Sequence, residues 1–105
     1  SAQAFLITSD NNRFYLTNFR SSAGCVLITK NNAYLLVDFR YGEAASKTVH
    51  HCKVVIFKRL SDSIKEICIS ENIKEIMIER EYVQKLKVTK ILLVSLVLDY
   101  LKIEF

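Results

Sequence analysis

Short apolar runs bounded by polar residues predict the first strands of the chain. Residues 5–7 form the first run, which ends at the polar stretch 9–12 and is predicted to be a buried strand followed by a turn. Residues 25–29 and 33–37 form two further runs, separated only by a Lys-Asn-Asn sequence at 30–32. Because Asn tolerates a positive φ better than most residues, these two runs are predicted to pair as a tight β-hairpin.

The segments around these strands differ in the spacing of their apolar residues. Residues 13–19 mix aromatic and polar side chains, so an extended or irregular segment is predicted. In residues 39–47, by contrast, Tyr41, Ala44 and Ala45 fall on one face at helical spacing, and alanine is a strong helix former. This second segment is predicted to be a short helix.

The next stretch predicts a strand, an amphipathic helix and another strand. Residues 54–57 are a continuous β-branched and aromatic run, which is typical of a fully buried strand. Residues 61–70 have helical apolar spacing, and Ser63 and Glu66 have the spacing of a capping box. Residues 75–79 largely alternate between apolar and polar positions and predict a strand. The apolar stripe of the predicted helix consists of Leu60, Ile64, Ile67 and Cys68.

Residues 81–100 carry conflicting signals. Their Ile and Val content favours a strand, whereas the length of the segment and the spacing of Val83, Leu86 and Lys90 favour a helix. We predict a helix here, followed by a last strand that begins within residues 101–105.

The predicted order of elements is three strands, a helix, a strand, a helix, a strand and a helix. A leading three-strand antiparallel meander followed by alternating helices and strands gives an α/β fold, with a mixed sheet and helices on its faces. The ribonuclease-H-like fold has this order.

Composition is that of an ordinary globular domain and not of a disordered chain. The 105 residues are 50% hydrophobic and 25% charged, enough for a single core in one domain. The formal net charge of +4 is spread evenly, because residues 1–50 and 51–105 each carry a surplus of two positive charges. Without a basic block, this charge is weak evidence for a nucleic-acid partner.

The cysteines point to a reducing compartment. Cys25, Cys52 and Cys68 are odd in number and form no C-x-x-C pair, which favours small buried side chains over a disulfide framework. Zinc is not predicted at His50, His51 and Cys52. If this segment is a strand, only His50 and Cys52 share a face, and two ligands do not make a zinc site. No basic start leads into an apolar run, and no apolar run approaches the roughly 20 residues of a membrane span. We therefore expect a cytoplasmic chain without a membrane segment.

The residues alone indicate no catalytic site. A nuclease of the ribonuclease-H type needs clustered carboxylates at strand ends, and Asp10 and Glu43 are candidates for such a cluster. Residues 57–59, however, read Phe-Lys-Arg where an acid is needed, and this basic pair would repel the metal. No nucleophile elbow, Walker loop or G-x-G-x-x-G sequence is present.

Several short motifs, in order, resemble the N-terminal domain of the creatinase, prolidase and Xaa-Pro aminopeptidase family. The family pattern is N-x-x-Y-L-T-G-F, then S-x-A/G, then D-x-R-Y-x-x-x-A, and residues 76–79 also resemble its later I-x-I-E strand. The matching segments here are Asn12-Arg13-Phe14-Tyr15-Leu16-Thr17-Asn18-Phe19, Ser21-Ser22-Ala23-Gly24, and Asp38-Phe39-Arg40-Tyr41 with Glu43-Ala44-Ala45. The positions that carry this structural motif are Asn12, Tyr15, Asp38, Arg40 and Tyr41.

Two departures from the family pattern affect the expected structure. Asn18 stands where the family usually has Gly, and because Asn also tolerates positive φ the turn is expected to survive. The helix that normally precedes the first strand is not present in the sequence, so one sheet face is expected to be uncovered.

The resemblance implies a domain without chemistry of its own. In the family, a C-terminal catalytic domain holds two divalent metals, expected to be Mn, Co or Zn, and the proline-binding pocket. Residues 1–105 are accordingly interpreted as a single N-terminal domain, with no catalytic residue, no metal site and no cofactor. The resemblance implies assembly into a homodimer, contact with the chain's own catalytic domain, and a proline-containing peptide as substrate. It also implies a substrate-entrance loop, formed by Phe19, Arg20, Ser21 and Ser22, that reaches the active site of a neighbouring subunit.

The motif residues also have structural interpretations. Phe14, Tyr15, Leu16 and Phe19 are expected to pack in the fold more than to touch substrate. Asp38 and Arg40 are expected to form a salt bridge or a helix cap. Arg20 has two open interpretations: a bidentate contact to a peptide carboxylate, or a solvated loop side chain. The alternative function for the whole chain is a stand-alone interaction module, basic enough to touch nucleic acid.

Overall fold

A computed structural model of the chain describes residues 3–21, 23–81 and 86–93 and contains a six-stranded mixed sheet with three helices. The order of the strands across the sheet is β4-β3-β2-β1-β5-β6. The strands are β1 (Ala4–Ile7), β2 (Cys25–Thr29), β3 (Ala33–Val37), β4 (Lys53–Ile56), β5 (Glu75–Glu81) and β6 (Leu86–Leu93). The helices are α1 (Asp10–Thr17), α2 (Phe39–Thr48) and α3 (Leu60–Ser70).

The first three strands form the predicted antiparallel meander. β1 pairs with β2, and β2 pairs with β3 in a register that places Cys25 opposite Leu36. The β2–β3 turn is closed by Thr29, whose Oγ1 accepts the backbone N–H groups of Asn31 at 3.2 Å and Asn32 at 3.0 Å. The hairpin prediction is therefore confirmed.

Parallel pairing of the later strands places helices on both faces of the sheet. β4 lies parallel to β3 after α2, and β5 lies parallel to β1 after α3. The predicted stripe of α3 packs on one face, and α1 and α2 cover part of the other. The predicted α/β mixed sheet is confirmed. The first face buries Ala4, Leu6, Cys25, Leu27, Leu36, Ile76 and Ile78 against Leu60, Ile64, Ile67 and Cys68, and the second buries Ile7, Val26, Leu35, Val37, Ala45 and Val49.

The prediction of an extended segment over residues 13–19 is wrong for most of its length. Ser9 caps α1 by accepting the Asn12 N–H at 3.2 Å, so a helix begins inside the predicted polar turn. The helix ends at Asn18, which has the left-handed φ of 56° expected for a residue replacing Gly and donates its N–H to the Phe14 carbonyl at 2.7 Å. Its buried residues are Arg13 and Thr17, which explains why apolar spacing gave no helical signal.

The strand at 54–57 and the capping box also differ from the prediction. β4 is an edge strand, so Val54 and Val55 are half-buried and Ile56 is 53% exposed. The apolar run reflected β propensity and not two-sided burial. α3 begins after Arg59, which makes no side-chain cap hydrogen bond, so Ser63 lies within the helix and not at its cap.

The predicted last helix is wrong over the part of residues 81–100 that the structure describes. β6 pairs antiparallel with β5, with Glu75 opposite Leu93 and Ile78 opposite Lys90. The strand signal of the Ile and Val residues prevails because β5 offers a free edge on which this segment can complete its backbone hydrogen bonds. Residues 82–85 and 94–100, and the last strand predicted within 101–105, lie outside the described residues.

The predicted role of the cysteines is confirmed for two of the three. Cys25, Cys52 and Cys68 are all free thiols, and Cys25 and Cys68 are buried in the core while Cys52 is half-buried. Burial raises the pKa of Cys25 to about 12, so this thiol stays protonated and unreactive at neutral pH. Over the described ranges, none of the helices has the length and apolar character needed to cross a membrane.

Candidate functional site

Polar and aromatic residues of the family motifs lie together along one edge of the sheet, the edge that is formed by the ends of the strands. β1 and β3 are both antiparallel to β2, β5 runs with β1, and β4 runs with β3, so four strands end at the same edge. α1 and α2 begin at this edge, and the loop from Asn18 to Gly24 enters β2 here. In open α/β sheets, ligands bind outside the carboxyl ends of the strands.

The side chain of Arg13 links the segments that meet at this edge by hydrogen bonds. Its side chain is almost fully buried, with the residue only 3% exposed. Nη1 donates to the Thr8 carbonyl at 2.9 Å, and Nη2 donates to the Ser21 carbonyl and to Asp10 Oδ1, both at 2.7 Å. The guanidinium therefore ties the end of β1, the start of α1 and the following loop into one unit. The role of Arg13 could not be predicted from the sequence, because a buried arginine in an aromatic segment leaves no distinctive pattern.

The loop after α1 is fixed by a second set of contacts. Thr17 Oγ1 donates to the Arg13 carbonyl at 2.7 Å and accepts the Phe19 N–H at 3.2 Å. The Phe19 ring meets the Tyr41 ring edge to face, with centroids 6.4 Å apart and planes at 88°. This contact joins the loop to α2, and Phe19 packs in the fold as predicted.

A cavity of about 280 Å³ lies between α1, this loop and α2. Arg20 is exposed at its rim, and its guanidinium carbon lies 4.0 Å from the centre of the Phe14 ring. The Ser21 hydroxyl oxygen is buried and has no hydrogen-bond partner among the described atoms. The lining residues are Asp10, Arg13, Phe19, Arg20, Ser21 and Tyr41. Ser22, the fourth predicted loop residue, lies outside the described residues.

Asp38 and Arg40 perform both predicted structural roles at the start of α2. Asp38 Oδ1 accepts the Arg40 backbone N–H at 2.9 Å as the helix cap, and Oδ2 lies 2.6 Å from Arg40 Nη2. The hydrogen bonds from the Arg40 side chain lower the pKa of Asp38. The Arg40 guanidinium also lies 5.2 Å from the centre of the Tyr41 ring, so the D-x-R-Y motif is a folded unit beside the cavity.

The other two motif residues, Asn12 and Tyr15, lie in different environments. The Asn12 backbone meets the Ser9 cap, whereas Tyr15 is 84% exposed on α1. The prediction that Tyr15 packs in the fold is therefore wrong. Leu16 and Phe19 do pack, against the buried cluster on the sheet face that α1 and α2 cover, and Phe14 contacts Arg20. The α1 surface leaves this tyrosine available to another molecule.

The described residues contain no group of three His, Cys, Asp or Glu side chains that could hold a metal ion. His51 Nε2 lies 2.7 Å from the Leu16 carbonyl, and His50 is exposed. Asp10 and Glu43, the candidates for a nuclease cluster, are exposed and are engaged with Arg13 and Lys47 respectively. The donor set does not fit a metal centre in this part of the molecule.

A larger cavity of about 590 Å³ lies at the opposite edge of the sheet. Phe5, Ile28 and Met77 line it, and none of its lining residues belongs to α1 or α2. It is larger than the first cavity, but of the family motifs only the strand at 76–79 reaches it, through Met77, and its described lining holds neither a paired aromatic wall nor an arginine. We therefore place the candidate site at the Arg13 edge.

Comparison with known proteins agrees with these features. The family described as the creatinase/prolidase N-terminal domain matches residues 1–93. A candidate Xaa-Pro aminopeptidase of Mycoplasma genitalium is 44% identical over 81 residues, which make up 77% of this chain but 23% of that protein. The aminopeptidase P of Streptococcus thermophilus has a similar structure, with a TM-score of 0.70 and 31% identity over 74% of this chain and 61% of that one.

The Xaa-Pro dipeptidase of Bacillus anthracis is similar to the same extent, with a TM-score of 0.70 and 30% identity. The match covers 79% of this chain and 24% of that one, so the chain spans about a quarter of each of the longer relatives. The sequence motifs occur in the family's order, and the mixed sheet and the D-x-R-Y unit are present in the structure. The chain belongs to the creatinase/prolidase N-terminal domain family.

Proposed function

We propose that this chain is the non-catalytic N-terminal domain of a dinuclear-metal Xaa-Pro peptidase, of the prolidase or aminopeptidase P type. Its relatives are named for Xaa-Pro peptidases and extend well beyond the matched region. Since the described residues offer no metal-binding cluster, the two divalent metals (Mn, Co or Zn) belong in the catalytic domain of that enzyme. The three free thiols support a location in the cytoplasm.

The observation that carries this proposal is the way Arg13 fixes the substrate-entrance loop. Contacts to Thr8, Asp10 and Ser21 hold the loop against α1, and the Phe19–Tyr41 pair holds it against α2. A loop that shapes the entrance of another subunit's active site must keep its form without support from its own catalytic centre. The described part of this loop, residues 19–21, is held in this way and presents Arg20 at its surface, where a charged donor can meet a peptide carboxylate.

Exposed aromatic residues support assembly into a homodimer. Phe39, at the start of α2, is 82% exposed, and Tyr15 on α1 is exposed to a similar degree. Aromatic and arginine side chains are enriched in the centres of protein interfaces. In this proposal they contact the neighbouring subunit or the chain's own catalytic domain, and the loop then acts in trans.

A mixing experiment in the complete peptidase that carries this domain tests the proposal. Arg20→Ala should lower kcat/KM by about ten- to a hundredfold, the value of a lost charge-assisted hydrogen bond. Mixing Arg20→Ala subunits with subunits that lack the metal ligands should restore part of the activity, because one intact loop then covers the other subunit's intact metal site. Lys65→Ala, which removes an exposed cation from α3 on the other sheet face, is the matched control and should leave kcat/KM unchanged.

Two outcomes would contradict this reasoning. If verified heterodimers show no recovery, the loop acts within its own subunit. If Arg20→Ala behaves like the unaltered enzyme on peptides of every length, Arg20 is only a solvated loop side chain.

The 105-residue chain by itself should not hydrolyse Xaa-Pro dipeptides, with or without added Mn²⁺, Co²⁺ or Zn²⁺. Turnover that a chelator abolishes would show that the domain has its own metal site. A reading frame that continues for roughly 200 residues past Phe105 supports the peptidase. A frame that stops there favours the alternative, a stand-alone interaction module of the same fold.

A further inference from the structure

We propose that the outer edge of β4 is the surface through which two copies of this chain associate. Residues 53–57 of the two copies pair antiparallel around a twofold axis at Val55, so that the two six-stranded sheets become one continuous sheet. The homodimer of the proposed function thereby gains a surface, a register and a symmetry, and only the expectation of self-association rests on that proposal.

β4 has one side without a neighbouring strand. It ends the strand order, and within the described ranges it pairs with β3 alone. Phe57, just after β4, donates its N–H to the Val37 carbonyl of β3 at 2.9 Å. Because the backbone groups of alternate residues point to the same side of a strand, Val55 also bonds toward β3. The N–H and C=O groups of Val54 and Ile56 point outward, which is a template for another strand.

These outward groups are complementary to themselves under a twofold axis. When Val54 of one copy faces Ile56 of the other, each donates its N–H to the carbonyl of the other, and the axis repeats this exchange. Val55 then faces its own copy as a non-hydrogen-bonded pair, in which facing side chains are closest. The same register sets apolar residues opposite apolar residues at all three positions.

Two exposed apolar side chains adjoin this edge. More than half of Ile56 is exposed, and its side chain lies against Gly42 of α2. Phe39, one turn earlier on the same face of α2, is exposed for most of its surface. An aromatic side chain can bury about 150–250 Å². Together with the strand edges, these side chains from both copies would bury on the order of 1,000 Å² in total, the lower limit for a specific interface. We therefore expect a reversible dimer.

Lys53 does not block the edge. Natural edge strands are often protected by a lysine, whose charge opposes pairing with another chain. The Lys53 ammonium, however, lies 5.8 Å from the centre of the Tyr34 ring, on the neighbouring strand β3. The Tyr34 hydrogen bond and the Lys53 charge both lower the pKa of Glu71, so this cation lies on the side of its own sheet and of an acid. Lys58 and Arg59 are also exposed, but they follow the paired residues.

Sedimentation of the 105-residue chain tests the association. A monomer–dimer equilibrium should appear below about 1 mM chain, and added salt should strengthen it by screening the repulsion between two chains of net charge +4. Val54→Pro should weaken the dimer about tenfold or more, because it removes an outward N–H and leaves the bonds to β3 in place. Ile69→Thr, which removes an exposed apolar side chain from α3, is the matched control and should have no effect. Circular dichroism checks that both variants keep the fold.

Disulfide cross-linking tests the register and does not depend on the folding of Val54→Pro. In a Cys52→Ser background, Val55→Cys chains should form a covalent dimer under mild oxidation, because the two residues of a non-hydrogen-bonded pair lie within disulfide range. Ile69→Cys, at an exposed position on α3, should cross-link at least about tenfold more slowly, since only random collisions bring its copies together.

Five results would overturn the inference. These are a strict monomer at about 1 mM chain, association that salt weakens, open-ended oligomers, undiminished association of a folded Val54→Pro chain, and equal cross-linking of Val55→Cys and Ile69→Cys. Open-ended oligomers would indicate a head-to-tail contact between β4 and β6, which does not close.

The mixing experiment in the complete enzyme fails or succeeds independently. A homodimer held through another surface would restore activity in heterodimers and leave the isolated chain monomeric. A chain that dimerises through β4 could equally belong to an enzyme in which Arg20→Ala has no effect.

Discussion

Replacing Arg13 by methionine tests whether one buried guanidinium holds the candidate site together. Methionine keeps most of the apolar stem and fills a similar volume, so the change removes the hydrogen bonds without leaving a large cavity. Three acceptors lose their donor: the carbonyl oxygens of Thr8 and Ser21 and the Asp10 carboxylate. These groups belong to different segments of the edge, so the loss should loosen the loop as well as α1.

The magnitude follows from the burial of each acceptor. A buried acceptor left without a donor costs about 1–3 kcal/mol. Thr8 and Ser21 are half-buried, so the lower part of that range applies to each carbonyl. The Asp10 side chain is 70% exposed, and an ion pair at such a site contributes about 1 kcal/mol at most. The expected loss is therefore about 2–4 kcal/mol, a large part of the roughly 5–15 kcal/mol available to a domain.

Equilibrium unfolding in urea, followed by circular dichroism, measures this loss. Arg13→Met should lower the midpoint with an unchanged slope, and Arg13→Lys should fall between it and the unaltered chain because one ammonium group cannot reach all three acceptors. Asp10→Asn is the matched control and should cost about 1 kcal/mol or less. The reasoning is refuted if Arg13→Met costs under about 0.5 kcal/mol, or if Asp10→Asn costs as much as Arg13→Met.

Substitutions at three further positions test other parts of the fold. Gly24→Ala should cost at least about 2 kcal/mol in urea unfolding, because Gly24 has a φ of +122° and an added Cβ would overlap the Leu36 carbonyl oxygen; a neutral change would mean that the backbone relaxes. Asn18→Gly should be close to neutral and Asn18→Ala should cost about 1 kcal/mol in thermal unfolding, since φ is 56° there; equal stabilities would contradict the left-handed turn. The Tyr34 hydroxyl donates to Glu71 and lowers the pKa of that carboxyl below its ordinary value. The stabilisation from this hydrogen bond is complete above the unfolded pKa of about 4.3 and is lost as the pH falls through the folded pKa. Glu71→Gln should therefore flatten the decline in unfolding free energy below about pH 4. An unchanged decline in urea titrations between pH 3 and 7 would count against this.

The parts of the fold that depend on local patterns can be predicted from the amino-acid sequence. The apolar runs at 25–29 and 33–37 and the Asn residues between them specify the hairpin, because turn chemistry and strand propensity act over a few residues. The stripe from Leu60 to Cys68 specifies α3 in the same way, since one helix face alone carries the apolar side chains. The ordered motifs were also enough to indicate the family, and Asn18 adopts the positive φ that its substitution for Gly implied.

Features that depend on partners distant in the sequence could not be predicted before the chain was seen folded. α1 buries Arg13 and Thr17, and such polar burial is favourable only when Thr8 and Ser21 supply acceptors from outside the helix. β6 is a strand because an open edge of β5 pairs with it, although its own sequence is compatible with a helix. Strand order likewise left β4 at an edge with Ile56 exposed. Each case turns on whether a backbone or polar group finds its hydrogen-bond partner, which is a property of the assembled fold and not of the local sequence.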